Sequence, residues 1–249
     1  FNQSRTAFGI GYRYKVAKLV NLAGKFSYLI LKGDDAQTKD IYRRNRNLNF
    51  KSNVFELTGR VEVGVQKFKR GGSKYGVQKS SSKSKMFSHA IYGFIGIGGF
   101  YYNPKGRRAN GEYVQLRPLH TEGQGLPGGP KQYGKFSINI PVGVYYKFII
   151  NKQISIGAEL GYRKTFTDYI DDVGSFYYDK TALLNAYGPL SVERSDPNLG
   201  KQVGYSSPDA AGNPAQRGDK YKDAYLTFEL TASYIFKKQR KSARLRSKF

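Results

Sequence analysis

The sequence predicts an all-β fold: a small antiparallel transmembrane β-barrel of about eight strands, seven of them visible in this chain, with long external loops. Three observations lead there. Six segments alternate apolar and polar residues with a period of two, the mark of strands, and a seventh is strand-like but apolar on both faces. Most of these run longer than the usual soluble strand and reach the roughly 9–11 residues that a tilted strand needs to cross a bilayer. The faces opposite the apolar ones carry charges of both signs, which suits a barrel with its greasy side on lipid and its polar side in a lumen. Edge strands with a solvated outer face are the competing reading, and so many long, regular strands count against it.

Taken in order, Thr6 to Tyr14 alternates Phe8, Ile10, Tyr12 and Tyr14 with Gly9, Gly11 and Arg13. Val20 to Ile30 sets Val20, Leu22, Phe26, Tyr28 and Ile30 against Asn21, Lys25 and Ser27. Asn53 to Phe68 sets Phe55, Leu57, Gly59, Val61, Val63 and Val65 against Glu56, Thr58, Arg60, Glu62 and Gln66. His89 to Tyr102 is glycine-rich and apolar on both faces, so its lipid side is not legible; glycine in a strand often marks a bend or close backbone approach. Phe136 to Phe148 sets Ile138, Ile140, Val142, Val144 and Tyr146 against Ser137, Asn139, Gly143 and Lys147. Ile154 to Phe166 sets Ile156, Ala158, Leu160 and Tyr162 against Ser155, Glu159, Arg163 and Thr165. Ala224 to Phe236 is the clearest, with Leu226, Phe228, Leu230, Ala232 and Tyr234 against Tyr225, Thr227, Glu229, Thr231 and Ser233. Glu56, Arg60, Glu62, Glu159, Arg163 and Glu229 are expected to pair as a charge network inside a narrow lumen.

Loop lengths orient the strands, because such barrels have short periplasmic turns and long external loops. The tight connections Lys15 to Lys18 and Ile150 to Lys152 are assigned to the periplasm. Segments near 32–51, 103–134 and 167–221 then lie outside, and the tail after Phe236 lies in the periplasm. The connection near 67–86 is long yet periplasmic. Seven strands with the first running downward leave a barrel one strand short, so an eighth, upward strand is expected upstream of Phe1 or outside this sequence. The start at Phe1 without a Met or signal peptide reads as an N-terminally incomplete or processed form. Residues 1–236 form one barrel domain and 237–249 a basic periplasmic tail; no helical period stands out.

Composition agrees. The chain holds 21 Tyr and 16 Phe, many near strand ends where interfacial girdles sit, and no cysteine that could supply disulfide or thiolate chemistry. The net charge of +24 is concentrated. Lys67, Lys69, Arg70, Lys74, Lys79, Lys83 and Lys85 occupy one segment without an acidic residue. Lys237, Lys238, Arg240, Lys241, Arg244, Arg246 and Lys248 occupy the tail, again without one. Both fall on the periplasmic side, an electrostatic handle for an acidic partner as against a merely solvated surface. Nucleic-acid binding is set aside, because these cations flank membrane-type strands. In the external segments, Asp168, Asp171 and Asp172 are close enough to share a hard cation such as calcium. Their spacing matches no EF-hand, so capping and turn duties are preferred and no metal is assigned. Arg43, Arg44 and Arg46 could pair with lipid phosphates.

Enzyme motifs leave no trace: there is no G-x-S-x-G elbow, Walker lysine or HExxH helix. Gly123, Gly125, Gly128 and Gly129 sit in a proline-containing loop and do not form a phosphate cradle. His89 and His120 are isolated, and no catalytic residue or cofactor is assigned.

Arg43 to Phe50 (RRNRNLNF) with Asn53 to Leu57 (NVFEL), Leu116 to Pro127 (LRPLHTEGQGLP) and Gly161 to Val173 (GYRKTFTDYIDDV) resemble the PorG-type barrel proteins of Bacteroidetes. The resemblance covers most of 5–180 and the final strand, and weakens in 67–85, 185–220 and the basic tail. It implies a non-enzymatic barrel in the bacterial outer membrane, its C-terminus in the periplasm. Its partners would be outer-membrane lipid and the periplasmic ring and lipoprotein components of the type IX secretion (gliding) machinery, which the family is thought to anchor. A surface-ligand or lipopolysaccharide-binding barrel and a small diffusion pore are the alternatives.

Overall fold

The computed structural model describes residues 5–17, 19–69, 88–151, 153–198, 206, 212–219 and 221–236, the side chains of 42, 65–69 and 88 excepted. Each alternating segment is a strand: β1 (Ala7–Lys15), β2 (Val20–Asp34), β3 (Asn49–Lys69), β4 (Ser88–Arg107), β6 (Phe136–Ile149), β7 (Ile154–Thr165) and β8 (Ala224–Tyr234), with a short β5 (Tyr113–Gln115) between β4 and β6. They form one curled antiparallel sheet in the order β1-β2-β3-β4-β6-β7-β8, and β5 pairs on the end of β4. The fold is therefore the expected all-β, barrel-like sheet. Among the described residues its long strands number seven, with β1 and β8 at its two edges.

The alternation fixes which way each strand faces. A register slip of one residue would turn every side chain to the wrong face. On the convex side lie Ile10, Leu57, Val142, Leu160 and Leu230, all exposed. On the concave side Asn21, Glu56, Arg60, Glu62, Asn139, Glu159 and Arg163 are buried, Glu56 and Glu62 completely. Polar residues inside and aliphatic ones outside invert the arrangement of a water-soluble sandwich. β4, unreadable in the sequence, points Ala90, Tyr92, Phe94, Phe100 and Tyr102 inward and Ile95 and Ile97 outward.

Two tight turns close one end of the sheet. Val16 and Ala17 N–H groups donate to the Val20 carbonyl (3.0 Å each). In the other turn Asn151 Oδ1 accepts from the Gln153 and Ile154 N–H groups (2.8 and 2.7 Å), the Asx turn that makes Asn favoured there. At the opposite end the long connections fold into a cap. It contains helices α1 (Ile41–Arg46), α2 (Lys180–Tyr187) and α3 (Pro189–Ser195), which correct the expectation of no helix. Each is too short to carry its own period; isolated helices below about 12 residues are marginal and are held by context. Asp179 caps α2 through the Ala182 N–H (2.7 Å), and Leu183 is fully buried.

Two apolar layers bracket the charged interior. Leu29, Val54, Phe100, Tyr102, Tyr133, Ile170 and Tyr225 pack beneath the cap. Ala90, Tyr92, Phe94 and Tyr145 pack nearer the tight turns.

Candidate functional site

The concave face gathers Glu56, Arg60, Glu62, Glu159, Arg163 and Glu229 into one network. Arg60 is its hub: it forks onto Glu159 (Nη1–Oε1 2.7 Å, Nη2–Oε2 2.6 Å) and holds Glu62 Oε1 at 3.0 Å. Its guanidinium also lies 4.2 Å from the Phe94 ring centre, where the aromatic face favours a cation. Arg163 Nε donates to both Glu56 oxygens (3.2 Å), and its Nη2 lies 3.6 Å from Glu229. Asn139 donates to Glu56 at 2.6 Å.

Two cations on neighbouring strands complete the set. Arg13 pairs with Glu62 at 2.5 Å, and Lys25 pairs with Glu229 and lies 3.5 Å from Glu159. Arg13 and Lys25 lie on polar faces in the sequence, but only the fold shows that Arg13 on β1 reaches Glu62 on β3 and that Lys25 on β2 reaches Glu159 on β7 and Glu229 on β8. Four carboxylates thus face four cations, so the interior is crowded with charge yet locally balanced. That matters because an unpaired charge in a dry interior is costly.

Glycines make the room. Gly96 and Gly98 face inward on β4, and a Cβ on Gly96 would come within 2.3 Å of the Gly59 carbonyl and 2.7 Å of Arg60 Cβ. Gly96→Ala should therefore destabilise the fold by about 1–3 kcal/mol, the usual cost of overpacking. A shift in the denaturation midpoint measures it; an unchanged midpoint would contradict the close packing.

The cap has a second buried network. Arg217, 1% exposed along its side chain, donates to Glu122 Oε1 (2.9 Å), the Asp172 carbonyl (2.6 Å) and the Ser195 carbonyl (3.0 Å). Glu122 Oε1 also accepts from the Gly174 and Ser175 N–H groups (3.0 and 3.2 Å). The Thr121 and Tyr133 hydroxyls donate to Asp172 (2.6 and 2.5 Å). Tyr133 stacks on Tyr169 at 4.6 Å, and His120 stacks on Tyr187 at 4.2 Å, so this histidine serves packing in the cap. Gly123, Gly125 and Gly128 take positive φ of 71°, 88° and 79°, the left-handed backbone that glycine permits.

Asp168, Asp171 and Asp172 do not converge on a cation; among the described residues no cluster of three acidic or histidine side chains has metal-site geometry. Asp171 accepts from the Val173 N–H (3.0 Å), a turn duty. Burial, then repulsion from Asp223 and Asp219, pushes the Asp168 carboxyl up to about 7. Burial lifts Asp172 and Asp223 to about 6 and raises Asp171 well above the usual range. Burial opposes ionisation of Asp196 too, but hydrogen bonds from Lys180 and Ser206 hold it below the ordinary value. The raised groups bind protons more tightly folded than unfolded, where carboxyls titrate near 4. Their contribution to stability is complete below about pH 4 and is lost as pH rises through 6 to 7. Asp196 acts in the opposite sense only below its ordinary value. Amide exchange in the cap, corrected for intrinsic rates, should be slower at pH 5.5 than at pH 8, and Asp168→Asn should flatten the difference. A cap that loosens on acidification over that range would contradict the assignment.

Lys67 and Lys69, expected in a connecting segment, belong to β3 instead. Arg70, Lys74, Lys79, Lys83, Lys85, Lys237, Lys238, Arg240, Lys241, Arg244 and Arg246 lie outside the described residues. The strands that precede them in the sequence, β3 and β8, end on the side opposite the cap. No family model, no curated protein and no solved structure matches this chain.

Proposed function

We propose that the chain is a non-enzymatic β-barrel of a bacterial outer membrane that anchors a periplasmic assembly. The observation that carries this is the inverted sheet: aliphatic side chains cover its convex face while paired charges fill its concave one. A lipid slab is the surroundings that make such a face stable. An eight-stranded barrel is just wide enough for side chains to fill, and eight interlocked charged side chains under a folded cap argue against solute flow. Purified protein in planar bilayers should give no conductance; discrete channel steps would favour a diffusion pore.

The resemblance to PorG-type barrels supplies the partner: the ring and lipoprotein of the type IX secretion or gliding machinery. The two basic segments supply the chemistry, since their sequences carry cations without an acidic residue and follow strands that end opposite the cap, which suits an acidic protein. Affinity purification in mild detergent tests this. Replacing the cations of 67–85 and 237–249 with Ser and Gln should abolish co-purification of the ring, whereas undiminished recovery would overturn the anchoring role. One observation favours the surface-ligand reading: the cap carries an open pocket of about 430 Å³ lined by Glu122, Phe176, Tyr177 and Tyr178. Under that reading the ring is not recovered and lipopolysaccharide is retained.

A further inference from the structure

The open pocket of the cap is of a size, about 430 Å³, that falls within the roughly 300–1,000 Å³ of small-ligand sites. Glu122, Ser175, Phe176, Tyr178, Asp179 and Lys180 line it. Its frame is tied down on several sides. Phe176 bridges to Gln216, and the Tyr177 N–H donates to the Ala215 carbonyl (2.9 Å). The Ser175 carbonyl accepts from the Arg217 and Gly218 N–H groups (3.0 and 2.8 Å). The Tyr178 hydroxyl donates to the Pro127 carbonyl (2.6 Å), and its ring is pressed against Gly123, where a Cβ would come within 2.4 Å of it. Phe176 differs: its backbone is held, yet the residue is 51% exposed. A bare aromatic ring thus stands on the wall of a built pocket.

Glu122 decides what fits. Its carboxylate is 0% exposed, and Oε1 takes all three donors: Arg217 and the Gly174 and Ser175 N–H groups. Oε2 is buried and has no hydrogen-bond partner among the described residues. The Tyr169 hydroxyl, kept protonated by burial and then by Glu122, stands nearby without completing that bond. A buried acceptor left without a donor is costly, more so when it is charged. What the pocket lacks is a donor and not a countercharge. Glu122 already faces Arg217, and Lys180 faces Asp196 at 2.6 Å. A cationic ligand would meet Lys180, and an anionic one would meet Glu122 and Asp179. A neutral molecule that gives a hydroxyl proton to Glu122 and lays an apolar face on Phe176 satisfies both walls. A sugar ring has that combination, with O–H groups around its edge and C–H groups on its faces, which suit the negative face of an aromatic ring.

We propose that the cap pocket binds a neutral saccharide, with Glu122 Oε2 accepting from a ring hydroxyl and Phe176 stacking on a face of the sugar. Arg217 and the Gly174 and Ser175 amides hold the carboxylate in place before the ligand arrives, so little ordering is left to binding. The inference rests on the surface-ligand reading, to which it gives a ligand chemistry, and on neither the anchoring role nor the periplasmic partner.

The whole chain is purified in a polyoxyethylene detergent, which carries neither sugar nor ammonium. Saturation-transfer NMR is run with maltose, cellobiose, lactose and mannobiose, and with tetramethylammonium as the cationic probe. At least one disaccharide is expected to show saturation of its ring C–H protons. Phe176→Ala should weaken that binding about tenfold, and Phe176→Tyr should retain it. Glu122→Gln keeps the shape but offers the pocket an NH2 in place of a charged acceptor, and should also weaken binding about tenfold. Should Glu122→Gln loosen the cap, seen as lost exchange protection at Gly174 and Ser175, Phe176→Ala decides alone, because its exposed ring holds little of the fold. Competition by purified lipopolysaccharide distinguishes a lipid-linked glycan from a free sugar, and either source supports the site. Silence from all the disaccharides, binding that Phe176→Ala leaves unchanged, or a preference for tetramethylammonium would each overturn the proposal. If lipopolysaccharide is retained and Phe176→Ala does not weaken it, the surface-ligand reading survives and this pocket is not its site. Recovery of the periplasmic ring bears on the anchor alone.

Discussion

Replacing Arg60 with alanine should cost about 3–5 kcal/mol of stability, the range for removing one partner from a buried ion pair. Arg60 holds two carboxylates at once, and the side chains of Glu62 and Glu159 are 0% and 1% exposed. Its removal leaves Glu62 with Arg13 and the Asn21 amide, and Glu159 with Lys25 at 3.5 Å, both carboxylates still buried. The Phe94 ring also loses the cation above it. The remedy is specific: adding Glu159→Gln to Arg60→Ala should recover part of the loss, because the orphaned charge is then gone. Arg60→Lys should recover little, since an ammonium cannot fork onto a carboxylate. The chain has no tryptophan, so urea unfolding in detergent is best followed by circular dichroism or by the gel-mobility shift of the folded barrel. A loss below about 0.5 kcal/mol, the size of an exposed surface pair, would mean that the interior is wet and the charges solvated.

Arg217→Ala should have a comparable but local effect, about 3–5 kcal/mol felt in the cap. The guanidinium joins Glu122 and the backbone of Asp172 and Ser195, and so ties two loop stretches and the end of α3, far apart in sequence. Without it Glu122 loses its cation and keeps the Gly174 and Ser175 amides. Those two amides should lose exchange protection, while amides at the centres of β3 and β7 keep theirs. Loss of protection throughout the sheet would show that cap and barrel unfold as one unit; unchanged protection at 174 and 175 would show that Arg217 does not hold the cap.

The strands were legible because a two-residue period survives in every one whose faces differ chemically. Glu229 between Phe228 and Leu230 declares its side, as does Glu56 between Phe55 and Leu57. β4 was not legible, because Tyr92 and Phe94 inward resemble Ile95 and Ile97 outward; only pairing against β3 and β6 tells them apart. The charge network was half legible. Six members show as charges on polar faces, but Arg13 and Lys25 acquire their partners through strand order, Arg13 reaching Glu62 from β1 and Lys25 reaching Glu229 from β2. The cap was hidden for a different reason. Arg217 and Glu122 are ordinary loop residues 95 apart in sequence, and nothing local marks two such side chains as buried partners.

Spin labels placed singly at Leu57, Val142, Leu160 and Leu230 test the central claim most directly, because these residues belong to the convex face that should meet lipid. In the reconstituted protein the account predicts labels readily relaxed by apolar oxygen and shielded from a water-soluble nickel chelate, with the contrast deepest at mid-strand. A chain that stays monomeric and folded without detergent, with those labels open to the chelate, would contradict it.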